Sequence, residues 1–189
     1  MESAPFLISG GLRYGAPPVI KRINPILIVC LLPCLLAFAG PEWQVYFSPK
    51  GGAADAIVAE LGKATNSVLV QAYSFTSVPI AKALVDAHKR GVKITVILDK
   101  GQKTAKYSSA DFIAHAGIPT LIDGKHAIAH NKVMVIDGLV LITGSFNFTK
   151  AAEETNAENL LIVRNKELAA AYIENWKLHE THSEVYQGK

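Results

Sequence analysis

The chain has 189 residues, half of them hydrophobic, and a formal net charge of +3. That length and apolar content suit one well-cored domain, while so small a charge excludes a uniformly basic coat for nucleic acid, so an anionic partner must be met by a local patch. Both cysteines, Cys30 and Cys34, lie in one apolar run near the N-terminus, which leaves the rest of the chain without an intrachain disulfide or a cysteine-based zinc site.

That run is the first element. Lys21 and Arg22 precede Ile26–Phe38, ILIVCLLPCLLAF, and Ala37-Phe38-Ala39 supplies a small-x-small cleavage signal. Basic flank, apolar core and cleavage signal in that order read as a secretory signal peptide over residues 1–39. The domain is then expected over residues 40–189, in the periplasm or secreted, with no stable membrane association once the leader is cut. An uncleaved anchor is the alternative, although an apolar run this short and broken by Pro33 is a poor span. The leader holds Arg13, Lys21 and Arg22 against Glu2, so removing its +2 leaves about +1 for the domain.

Trp43–Phe47 alternates and is rich in β-formers, predicting a first strand. After a Pro-Lys-Gly-Gly turn, Ala53–Ala64 carries Ile57, Val58 and Leu61 at helical spacing. Ser67–Phe75 is nearly continuous in apolar residues, as expected for a strand covered on both faces. Pro79–Arg90 reads as a helix, with proline in its first turn and Gly91 past its end. Val92–Leu98 is another buried strand. The order β-α-β-α-β predicts an α/β fold: a mixed, mostly parallel sheet flanked by helices on both faces.

Asp99–Ser109 is a loop bearing Lys100, Lys103 and Lys106. It sits at the carboxyl end of a strand, where open α/β sheets place ligands. A phosphate-facing wall and a solvated loop are equally good readings of it. A short helix over Ala110–Ala116 and a short strand over Ile118–Ile122 follow. Ala129–Ile136 alternates as a strand, Asp137-Gly138 is a strong hairpin turn, and Leu139–Thr143 returns. Asn147 or Thr149 is placed to cap a helix running to about Glu154. Asn159–Val163 is a last core strand, and Lys166–His182 a closing helix with Leu168, Ala171, Tyr172 and Trp176 at packing intervals.

The stretch from His130 to Glu158 carries the chemistry. His130, Lys132 and Asp137 stand in the order H-x-K-x4-D, followed by Gly144-Ser145-Phe146-Asn147 and, before the last core strand, Glu158-Asn159. An imidazole can act as nucleophile or acid, a lysine and an amide can hold phosphate oxygens, and a carboxylate can orient the imidazole. Strand alternation puts His130 and Lys132 on one face, with Met134 and Ile136 continuing that row into the core. Asp137 reads equally well as a simple turn residue. For Ser145 and Asn147, turn and cap duty is compatible with phosphate contact.

This arrangement resembles the signature of the phospholipase D superfamily, the HKD motif, in single-copy form, and is nearest to its small secreted bacterial endonuclease branch. The resemblance spans Trp43 to the C-terminal helix. It implies a phosphodiesterase with His130 as nucleophile or acid partner, Lys132, Ser145 and Asn147 on phosphate oxygens, and Glu158 orienting a histidine. Asp137 matches the family aspartate, its position at the turn suggesting that it braces the hairpin. Neither metal nor cofactor is implied. Phosphohistidine chemistry needs a second imidazole as acid, and His88, His115, His126, His179 and His182 lack the companion lysine and asparagine. An isologous homodimer supplies the missing half, and the resemblance implies the same. The expected substrate is nucleic acid, DNA or RNA. The alternatives are a membrane-anchored lipid hydrolase of the cardiolipin type, disfavoured by the few apolar runs in the mature part, and a catalytically silent nucleic-acid-binding module.

Overall fold

The computed structural model describes residues 42–189, so the leader expected over residues 1–39 lies outside them. Along the chain run β1 (Trp43–Ser48), α1 (Ala53–Lys63), β2 (Ser67–Ala72), α2 (Val78–Lys89), β3 (Lys93–Asp99), a 3-10 turn (Lys100–Lys103), α3 (Ala110–His115) and β4 (Thr120–Asp123). Then come β5 (Lys132–Ile136), β6 (Val140–Gly144), α4 (Lys150–Glu154), β7 (Glu158–Arg164), α5 (Lys166–Glu180) and a two-residue β8 (Glu184–Val185). The local signals act as expected. Proline opens α2, Thr149 caps α4 by accepting the Ala152 N–H at 3.1 Å, and Asn165 caps α5 through the Leu168 N–H at 2.8 Å.

The strands form one eight-stranded sheet in the order β1-β7-β6-β5-β2-β3-β4-β8. The sheet is mixed, as expected, but the balance differs from the sequence reading. Only β2–β3 and β3–β4 run parallel, and the other five pairings are antiparallel. The reason is topological. β1 does not begin a parallel unit with β2 but crosses to the far edge to pair with β7, and β5, β6 and β7 form a meander.

Alternation then builds two cores. Met134 and Ile136 of β5 join Ile57 and Leu61 of α1, Leu84 of α2, Ile113 of α3 and Ala152 of α4 on one face. Val133 and Val135 of β5, with Leu141, meet Ala169, Tyr172 and Ile173 of α5 on the other. Helices therefore cover both faces, and every residue of β5 is buried. Trp176 of α5 adds a directional contact, its indole N–H donating to the Val70 carbonyl at 2.9 Å. Among the described residues no helix is long and apolar enough to cross a membrane.

Candidate active site

The register brings the ends of four neighbouring strands, β7, β6, β5 and β2, together in one row of the sheet's strand ends. Lys132, the first residue of β5, lies beside Ala72, the last of β2. Gly144, the last of β6, pairs with Leu160 of β7, two residues beyond Glu158. Between them opens a cavity of about 330 Å³ lined by His130, Lys132, Gly144, Ser145, Asn147 and Glu158. Every side chain singled out in the His130–Glu158 stretch is there except Asp137.

Lys132 is only 6 % exposed. A buried ammonium is costly unless its donors are used, and here Nζ donates to the His130 carbonyl at 2.7 Å and sits 5.1 Å from the Tyr73 ring centroid. Burial pulls its pKa below the ordinary lysine value, and the Glu158 charge restores only part of the loss. Glu158 in turn accepts from Asn156 Nδ2 at 3.2 Å.

His130 is exposed and precedes β5, so the strand expected from Ala129 starts three residues later. Its neighbours hold it in place instead. The Ala129 N–H donates to Asp99 Oδ2 at 2.7 Å within the core, and the Asn131 carbonyl accepts the Tyr73 N–H at 2.8 Å. The imidazole lies over Tyr73, ring centroids 4.4 Å apart and planes tilted by 56°. Tyr73 went unnoticed in the sequence because it is one more aromatic in a strand-like run.

The opposite wall depends on a glycine. Gly144 has φ +142, and a Cβ there would collide with the Asn159 carbonyl oxygen. That oxygen accepts the N–H groups of Ser145 and Phe146, both at 3.1 Å. Ser145 Oγ receives Asn159 N–H at 3.1 Å and Asn159 Nδ2 at 3.3 Å, which turns its own hydroxyl proton outward for an acceptor. With Thr149 capping α4, Asn147 is spared that duty. Its buried amide oxygen has no hydrogen-bond partner among the described residues, and an asparagine amide turned over presents its NH₂ to the same place. Both Ser145 and Asn147 line the cavity and bring a hydroxyl and an amide to this wall.

Asp137 stands past the other end of β5, five residues from Lys132 and so about 16 Å away at a rise near 3.3 Å per residue. It is not a cavity residue. Its Oδ1 accepts from Asn66 N and Ser67 N at 2.8 and 2.9 Å, and its Oδ2 from Thr65 N and Thr65 Oγ1 at 2.9 Å each. Burial would raise its pKa, but these bonds outweigh it and hold the carboxyl below the ordinary aspartate value. Asp137 and Gly138, both at positive φ (53 and 62), form the turn that Asp-Gly predicts, closed by the Leu139 N–H on the Ile136 carbonyl at 3.0 Å. These bonds make it a brace joining the β5–β6 turn to the loop before β2, the role that its position at the turn suggests.

The lysine loop also turns away. Lys100 Nζ donates to the His126 carbonyl at 3.0 Å, and none of Lys100, Lys103 and Lys106 lines the cavity. A second group that the sequence did not join is Asp123 with His126, His179 and His182. Burial would raise the Asp123 pKa, but the imidazoles of His179, His126 and His182 gathered beside the carboxylate hold it at about 2. His126 lies only three residues past Asp123 (β4), but His179 and His182 stand more than fifty positions away, and only the fold unites the four.

The family model described as "Cardiolipin synthase, PLD-like domain" matches residues 57–178. Phospholipase D of Rickettsia conorii is 42 % identical over 130 residues, which cover 69 % of this chain and 65 % of that protein, so just under two thirds of the relative's length is spanned. The mitochondrial cardiolipin hydrolase of Xenopus tropicalis is 34 % identical over 110 residues, 58 % of this chain and 52 % of that protein. Among solved structures, Nuc from Salmonella typhimurium, a phospholipase D family member, superposes with a TM-score of 0.75 at 38 % identity, covering 77 % of this chain and 98 % of that one.

Proposed function

The chain belongs to the phospholipase D superfamily, and from that premise we propose that it is a phosphodiesterase that cleaves nucleic acid through a phosphohistidine, as a homodimer. The observation that carries the reading is the composition of the cavity wall: one imidazole, one buried ammonium, one hydroxyl, one amide and one carboxylate, with no apolar side chain among them. A phosphodiester flanked by sugars needs only such polar contacts, and contacts to the backbone confer little base preference.

In the proposed reaction a ring nitrogen of His130 attacks phosphorus. The bond from phosphorus to the leaving oxygen breaks, and that oxygen takes a proton from the partner's His130. Water then attacks the phosphohistidine and gives its proton to the same partner imidazole, and the P–N bond breaks to return His130 neutral. Lys132 and the Asn147 amide offset the charge gathering on the phosphoryl oxygens, a role preorganised by burial. The Ser145 hydroxyl adds a donor. The need for a partner follows from the histidine inventory. The chain has six histidines, and His130 alone lines the cavity.

One observation favours a second reading, a lipid hydrolase. Val78, Tyr107 and Phe112 are exposed and line a separate cavity of about 410 Å³ with Thr76 and Ala81. This apolar surface comes from residues far apart in sequence, which is why the linear reading saw few apolar runs. The relatives named phospholipase D and cardiolipin hydrolase fit that surface. The phosphate-sized cavity has no acyl slot of its own, and nucleic acid remains the better fit. The leader, if cleaved, places the enzyme in the periplasm or outside the cell.

The test is direct. The full chain is incubated in excess EDTA with plasmid DNA and, separately, with cardiolipin vesicles, beside His130→Ala. Nicked plasmid, unchanged lipid and a loss of about 10²–10⁴-fold or more in the variant are expected. Lipid turnover without DNA cleavage transfers the assignment to the second reading. Wild-type chains mixed with His130→Ala chains should form poorly active heterodimers, and full activity from a demonstrated monomer overturns the shared site.

A further inference from the structure

The group around Asp123 shares no residue with the cavity. Asp123 closes β4 and is fully buried, His126 follows it in the next loop, and His179 and His182 lie in the last turn of α5 and just past it. Asp123 Oδ2 has His179 Nδ1 at 2.7 Å, His126 Nδ1 at 3.0 Å and His182 Nε2 at 3.4 Å. One ligand atom from each of the four residues falls within 4.8 Å of all the others, and the three imidazole rings lie with centroids 4.9 to 5.4 Å apart.

Hydrogen bonding alone leaves this group unfinished. A carboxylate oxygen offers two lone pairs, yet three ring nitrogens converge on Oδ2 while Oδ1 already accepts the Lys125 N–H at 3.1 Å. The nitrogen left over is His182 Nε2, which is buried and has no hydrogen-bond partner among the described residues. Three imidazoles gathered around one buried carboxylate are arranged for a shared cation.

We propose that Asp123, His126, His179 and His182 form a structural site for a divalent transition metal, Zn²⁺ being the ion whose chemistry fits. Three imidazole nitrogens and one carboxylate oxygen are borderline donors, suited to zinc and its neighbours and unlike the oxygen cages of calcium and magnesium. Four protein donors complete a tetrahedron and leave no open position, which marks a structural rather than a catalytic centre. Ligands about 2.0–2.1 Å from such an ion stand roughly 3.3 Å from one another, so the 2.7 to 3.4 Å separations of the nitrogens from Asp123 Oδ2 need small adjustments, while the ligand atoms as a set, within 4.8 Å of one another, draw together on the ion. The carboxyl end of α5, a 15-residue helix, adds the negative end of its dipole. His126 is the ligand with the most exposed side chain, at 43 %, and gives the ion its way in. The bound metal fastens the loop of residues 124–131, which carries His130, to β4 and α5.

The test uses the full chain stripped of metal by chelation and desalting, then titrated with Co²⁺ and afterwards with Zn²⁺. One equivalent per chain is expected, with the intense visible absorption of tetrahedral cobalt, lost as zinc displaces it. His126→Ala should weaken binding at least about tenfold, the double variant His179→Ala with His182→Ala should abolish the signal, and His130→Ala should bind as wild type. Should the double variant misfold by circular dichroism, His126→Ala decides, since that residue is a loop side chain outside the core. No saturable binding, a pale octahedral spectrum, or affinity indifferent to His126→Ala overturns the site. None of these readouts is enzymatic activity, so failure here and failure of the phosphodiesterase reading are separable.

Discussion

Removing the Asp137 carboxylate separates architecture from chemistry at the one motif residue outside the cavity. Its two oxygens accept four hydrogen bonds, three of them at exposed positions and one part-buried. At that exposure water replaces much of each bond, so about 0.5–1 kcal/mol apiece is reasonable, or about 2–4 kcal/mol together. Asp137→Gly removes them without straining the positive φ. For a domain of this size that is a fall in Tm of about 5–15 °C. Asp137→Asn keeps one oxygen and should lose about half as much, whereas Asp137→Ala adds about 1 kcal/mol for a Cβ at φ 53. The native carboxyl is held below its unfolded pKa of about 3.9. Its contribution is therefore complete above that pH and shrinks as pH falls through the lower folded value, so the gap between wild type and Asp137→Asn should close in acid. Melting is followed by circular dichroism, and turnover of bis(p-nitrophenyl) phosphate is measured well below the lowest Tm. kcat within about tenfold of wild type is expected for a brace. An unchanged Tm with activity as low as His130→Ala would refute the reasoning and put Asp137 back into the chemistry.

Two further substitutions probe the walls. Gly144→Ala forces a Cβ onto the Asn159 carbonyl at a φ that side chains rarely adopt, and should cost on the order of 1–3 kcal/mol while displacing Ser145 and Asn147; a native Tm with native kcat would show that the wall yields. Glu158→Gln removes the charge that raises the Lys132 pKa, so the alkaline limb of the kcat profile should move to lower pH. An alkaline limb that stays put would mean that Lys132 does not set it.

Much of the fold was readable from the sequence because local rules and tertiary packing agree. β5 alternates between two cores, α2 begins with proline, and Asp137-Gly138 turns the hairpin as Asp-Gly turns do. Five of the six cavity residues were likewise legible, since side-chain chemistry at fixed spacing survives without coordinates. Strand direction was not. Nothing in Trp43–Ser48 says that it pairs with β7 rather than β2, because alternation reports burial and not partners. Tyr73 and the Asp123 histidines escaped for the same reason: their neighbours are set by sheet order, and their sequence surroundings look like strand, loop and helix end. Asp137 was legible as a turn residue bracing the hairpin, but its partners Thr65, Asn66 and Ser67 were not, since they lie some seventy positions away.

The meander β5-β6-β7 has a kinetic meaning as well. Its strands follow one another directly, through the Asp137 turn and then the segment carrying α4, so both walls of the cavity, from His130 to Glu158, come together by closing loops far smaller than the domain, at modest entropic cost. β1 must instead find β7 across the whole domain, pairing Ser48 with Glu158, and β2 must meet β5 past two helices. Such distant pairings are the slow ones in folding. A chain emerging N-terminus first thus holds its two outer partners waiting until the last strands arrive, and the phosphate cavity is among the last parts of the sheet to be synthesised yet among the quickest to close.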